Sequence, residues 1–159
     1  MSKSTEAKEL FVAGANCSQA TLLPFARECG LERDTALRLA SGFGGGMGRL
    51  REVCGALTGI FMVADLLYGY SDITDKDIKD AHYALIQDLA ARFKAETGTI
   101  LCRELLDLPA SQVDVPVSEA RTAEFYQRRP CAELVALAAK IMAEHISARQ
   151  CPPASAGKA

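Results

Sequence analysis

Apolar positions recur along this chain at steps of three and four residues, and the pattern reads as helices from end to end. The clearest case runs from Asp75 to Glu96. There Ile78, Ala81, Leu85, Leu89 and Phe93 form one stripe and charged residues fill the other faces. Thr74 or Asp75 caps that helix and Gly98 stops it. A first helix is expected over Thr5–Ala13. A second starts at the cap Asn16 and heads toward Cys29, with Pro24 kinking or shortening it and Gly30 as its stop. A short helix follows over Asp34–Ala40.

The segment Cys54–Leu67 is apolar on nearly every side, interrupted mainly by Thr58 and Asp65. A helix apolar all round belongs at the centre of a bundle. Gly55 and Gly59 share one face of it, so a neighbouring helix or a cofactor can come close to its backbone. The last helix is expected from Pro130 to about Ala148, with Cys131, Leu134, Val135, Ala138, Ile141 and Met142 inward. Between Gly98 and Pro130 the pattern is irregular. It holds a short helix at Cys102, a loop, and another helix over Ser118–Tyr126. The expected architecture is all-α: a single compact helical bundle over residues 1–150 around a central apolar helix at about 54–67, with 151–159 a disordered tail.

Composition narrows the function more by exclusion than by pointing. The chain has 159 residues, 49% hydrophobic and 24% charged, with a net charge of −2, so neither a nucleic-acid nor an anionic-membrane partner is indicated. The polar start has no signal-peptide-like apolar stretch, and the longest apolar run, Ile60–Leu67, falls short of the roughly 20 residues of a membrane span. A cytoplasmic location follows by default. In that reducing compartment six cysteines point to metal binding, redox chemistry or plain burial rather than a disulfide framework. No two form a CxxC pair, which excludes zinc ribbons, thioredoxin-type sites and the usual ferredoxin spacing.

Where the cysteines fall is more telling. Cys17 follows Asn16, Cys54 opens the central apolar run, Cys102 starts Cys102-Arg103-Glu104-Leu105, and Cys131 follows Pro130. All four lie at expected helix starts, where free N–H groups and the positive end of the dipole favour a thiolate, the form that binds metal and exchanges disulfides. Cys29 ends a helix and Cys151 lies in the tail, so both read as inert. The run Gly42-Phe-Gly-Gly-Gly-Met-Gly-Arg49 matches neither phosphate-loop spacing nor a dinucleotide fingerprint. It reads as a turn between helices, or as backbone packed close to a cofactor or to sulfur, with Gly44, Gly45, Gly46 and Gly55 as the candidate contacts. His82, off the apolar stripe, reads as a surface residue, and His145 as partly buried; neither has a ligand-like partner. Arg49, Arg51 and Glu52 ahead of Cys54 read first as solvated charges, with tuning of the Cys54 charge as the alternative, and Asp65 is the better candidate for a buried polar role.

Five short motifs in order carry a resemblance. Asn16-Cys17-Ser18-Gln19-Ala20, the block Gly42–Arg49, Cys54-Gly55-Ala56-Leu57-Thr58-Gly59, then Cys102 and Cys131, resemble the C_GCAxxG_C_C family of redox-active proteins across most of the chain. The resemblance implies a redox role for the same four cysteines. On this reading Cys17, Cys54, Cys102 and Cys131 gather at one end of the bundle to ligate an iron–sulfur cluster or another soft metal for electron transfer to a redox partner protein. A metal-free dithiol/disulfide protein with Cys54 as nucleophile, or a non-catalytic helical binding module, are the alternatives. Whether one bundle or a homodimer completes the site stays open, as does whether the protein is an oxidoreductase or only carries electrons.

Overall fold

A computed structural model describes residues 1–150; the expected tail, with Cys151, lies outside them. The fold is all-α. Helix α1, Lys3–Val12, begins at Ser2, whose hydroxyl accepts from the Thr5 N–H at 3.1 Å. Helix α2, Cys17–Leu22, starts at Asn16 with a reciprocal capping box: Asn16 accepts from the Gln19 N–H while the Gln19 side chain accepts from the Asn16 N–H. Pro24 does shorten this segment. The helix gives way to a 3₁₀ turn at Leu23–Phe25, and only turns lead on to Gly30. Helix α3 is Arg33–Ala40 and the glycine-rich turn α4 is Gly44–Met47.

Helix α5, Gly55–Tyr68, occupies the centre, packed against α2 and against the two long helices α6, Lys76–Thr97, and α9, Cys131–Gln150. Its glycines let α2 in. A methyl on Gly59 would stand 2.8 Å from the Thr21 Cβ, and one on Gly55 would stand 2.8 Å from the Cys17 Sγ. The neighbour admitted at this face is thus a helix, and it brings Cys17 onto the start of α5. Helix α9 also runs along α1, so the two ends of the described chain pack together.

Two polar residues exchange the environments expected of them. His82 is buried, and the buried face of α6 is His82, Leu85, Leu89 and Phe93, while Ile78 and Ala81 are exposed. The stripe holds at Leu85, Leu89 and Phe93 and shifts only in its first turns, where His82 rather than Ile78 and Ala81 is covered. Asp65 is exposed, because the end of α5 emerges from the core; Leu66 beside it is exposed too. The two meet at the surface, His82 Nε2 lying 2.6 Å from Asp65 Oδ1.

The irregular region holds α7, Cys102–Leu105, and α8, Ala123–Arg128, so the helix expected from Ser118 begins five residues later, capped by Thr122. More consequential is a piece of extended pairing that helical periodicity does not reveal. Val53 and Leu101 form an isolated antiparallel bridge, with Cys54 N–H donating to Ile100 O at 2.8 Å and Cys102 N–H to Glu52 O at 2.7 Å. This short staple ties the start of α5 to the start of α7, with Cys54 and Cys102 diagonal to each other across the bridge. Among the described residues no helix is long and apolar enough to cross a membrane.

Candidate functional site

The four helix-start cysteines occupy the positions their spacing implied. Cys17, Cys102 and Cys131 are the first residues of α2, α7 and α9, and Cys54 is the cap of α5. All four line one cavity of about 400 Å³. The fold therefore places four cysteines, from segments scattered over more than a hundred residues, along the wall of one cavity. Cys29 is not among the lining residues. It is half-buried near Lys3 and Glu28, and burial pushes its thiol up to about 11.

The glycine block owes its composition to backbone handedness. Gly45, Gly46, Met47, Gly48 and Arg49 all have φ between 61° and 70°, making a left-handed turn, and Arg51 joins them at 62°. That conformation costs about 1–2 kcal/mol at each non-glycine residue, so three glycines among these five reduce the strain. The turn sets Gly44 and Gly45 in the cavity wall, together with Gly55 from α5. Gly46 stands apart from the wall and instead receives Cys102: a methyl there would lie 2.5 Å from the Cys102 Cβ. Its role is packing that seats a cysteine.

The structure corrects the reading of the arginines ahead of Cys54. Arg51 is buried, its side chain 2% exposed, and its guanidinium donates to Asp114 while Nη1 lies 3.7 Å from the Cys102 Sγ. Arg49 also reaches Asp114, at 3.3 Å. Two further arginines, Arg121 and Arg129, line the cavity, and Arg129 pairs with Glu119. Periodicity could not single these residues out, because they precede or follow short irregular elements. The one sequence signal was the density of arginine immediately before Cys54 and Cys131.

Helix-start placement favours thiolates, yet here burial wins. Burial pushes the Cys54 thiol far up, and the N–H groups of Ala56 and Leu57 oppose it only in part. Cys102 is likewise raised by burial, against the pull of Arg51. Cys131 is pushed up to about 12 by burial and then by the nearby Cys17, with Arg129 opposing. In the reduced, metal-free protein these three are thiols at neutral pH, not the standing thiolates expected. The helix ends and arginines lessen the penalty for a sulfur anion; they do not remove it.

This has a consequence for stability. The folded state holds these thiols above their ordinary value of 9.0. Their contribution is thus fully present below about pH 9 and is lost as pH rises from there through the folded values. The denaturation midpoint of reduced, metal-free protein is expected to fall between pH 8 and pH 11. Substituting Cys131 by serine should flatten that slope, and an unchanged slope would count against the burial argument.

The donor set is all soft sulfur, which suits iron–sulfur clusters, zinc and Cu(I). The cavity is wide for one ion, and among the described residues no group of three or more Cys, His, Asp or Glu is already gathered at metal-ligating distance. Arg51 beside Cys102 and Arg129 beside Cys131 supply positive charge where thiolates would form.

Taken together, the fold and cavity define an all-α protein with a cysteine-lined, arginine-flanked pocket. The chain belongs to the family described as "Putative redox-active protein (C_GCAxxG_C_C)", which it matches over residues 15–145. No curated protein and no solved structure matches it.

Proposed function

We propose that this is a redox protein in which Cys17, Cys54, Cys102 and Cys131 hold an iron–sulfur cluster, or another soft metal, for electron transfer with a partner protein. The observation that carries the reading is the convergence of these four sulfurs on one cavity, each at a helix start. A bound centre would supply one-electron chemistry. The chain's own part is to orient the sulfurs from four helix starts, to exclude water by burying Cys54 and Cys102, and to place Arg51 and Arg129 against the added negative charge. Gly44, Gly45 and Gly55, without side chains of their own, let Asn16, Arg49 and Cys17 pack close around the cavity wall. On this reading residues 1–150 act as one unit in the cytoplasm.

A second reading has its own observation. The Cys17 Sγ packs against Gly55, next to Cys54 in the chain. Those two thiols could give up two electrons and two protons to an oxidised partner and become a disulfide, with Cys54 as the attacking sulfur. Protein purified without oxygen separates the two. Visible absorbance with stoichiometric iron or another metal supports the bound centre. Colourless protein that reversibly loses two free thiols on mild oxidation supports the dithiol. Thiols that react only after denaturation contradict both.

A further inference from the structure

The cavity carries more positive charge than its sulfurs' arginines explain. Four arginines line it, and their carboxylate partners are few. Arg49 and Arg51 share Asp114, while Arg129 shares Glu119 with Arg128, Glu119 standing 3.9 Å from Arg49. Arg51 and Arg129 lie against Cys102 and Cys131. Arg49 and Arg121 have no such contact with sulfur. Arg121 has no carboxylate within ion-pair distance among the described residues, and Arg49 donates Nε to the Val115 carbonyl and Nη2 to Asp114, with its side chain 20% exposed.

Arg121 is nonetheless held in place. Its guanidinium lies 4.6 Å from the Phe11 ring centre, 4.8 Å from that of Phe125 and 5.9 Å from that of Tyr126, and it donates to the Ala15 carbonyl at 3.2 Å. A guanidinium carries five N–H donors in a rigid fork, so most remain free for a ligand. Stacking on three rings fixes the fork beforehand, which lowers the ordering cost of binding. A cationic, aromatic-backed wall in a 400 Å³ cavity is a recognition surface for a small anion, and the guanidinium fork matches the paired oxygens of a carboxylate or phosphate.

We propose that Arg121, with Arg49, binds a small oxyanionic ligand in the same cavity as the four cysteines. Anion binding by itself does not require a metal. That the anion is the substrate met by the sulfur centre rests on the redox reading above.

The test uses reduced, metal-free protein, so its result is independent of metal content. Inorganic phosphate and succinate are titrated separately by calorimetry into the wild type, Arg121→Met and Arg49→Gln. Saturable binding of either probe by the wild type, weakened roughly tenfold by Arg121→Met and partly restored in Arg121→Lys, supports the site. The responding probe shows whether a phosphoryl group or a carboxylate is preferred. Arg121 is exposed, so its variants should keep the wild-type fold; circular dichroism checks this for every variant, Arg49→Gln included, before its binding is read. Wild-type protein that binds neither probe below about 10 mM overturns the proposal, as does binding that neither variant weakens.

Discussion

If the four sulfurs hold a metal centre, serine in place of Cys54 is expected to leave the protein folded and empty of metal. Serine is close to isosteric with cysteine, and the backbone of residue 54 keeps its bond to Ile100 O and its place at the start of α5. What is lost is one soft donor from a set of four, and a hydroxyl binds iron–sulfur centres and Cu(I) poorly. Iron or other metal per chain, in protein purified without oxygen, should fall to roughly a tenth of the wild-type value or less. Cys17→Ser, Cys102→Ser and Cys131→Ser should behave alike. Cys29→Ser should retain full metal, since Cys29 lies outside the cavity wall. Metal retained in full by the Cys54 variant refutes the bound-centre reading outright.

Alanine at Gly46 should be severely destabilising. The added Cβ would meet the Cys102 Cβ at 2.5 Å, the Glu52 N at 2.9 Å and the Arg51 carbonyl carbon at 3.0 Å, and residue 46 has φ of 70°. Two of those three atoms are backbone, so no rotamer change relieves the contact. Left-handed strain adds to the overlap. The expected loss is about 4 kcal/mol, or a melting temperature lower by roughly 10 °C for a chain of this size. Any Gly46→Ala protein that does fold should have lost the pairing of residues 52–54 with 100–102. A thermal melt read by circular dichroism checks the first point, and amide exchange at Cys54 and Cys102 the second. A variant as stable as the wild type would show that the turn yields freely.

Much of the fold could be read from helical spacing because the long helices obey it. Asp75 and Gly98 bound α6 as cap and stop, and the all-apolar stretch after Cys54 is indeed the central helix. The exchange of His82 and Asp65 shows the limit. The period alone does not fix which residue of a turn is covered; the neighbouring helix decides that. Cys17 and Cys131 were legible because Asn16 and Pro130 before them mark helix starts, Cys54 because it opens the apolar run after the glycines, and Cys102 because it begins Cys102-Arg103-Glu104-Leu105. Arg51, Arg121 and Arg129 were not, since their burial or their place in the cavity wall depends on Asp114, Glu119 and Phe125, contacts made by a loop without periodicity. The thiol forms were misjudged for a related reason. Helix-end electrostatics is visible in a sequence, whereas the depth at which a sulfur is buried is not.

The pairing of α9 with α1, α2 and α5 bears on when the pocket comes into being. Cys17, Cys54 and Cys102 can be ordered by the first two-thirds of the chain, but Cys131 opens the final helix. A nascent polypeptide emerging from the ribosome thus lacks the last sulfur and a wall of the chamber until α9 has left the exit tunnel and docked. Loading of any prosthetic centre would then have to await the docking of α9, the step that closes the chamber.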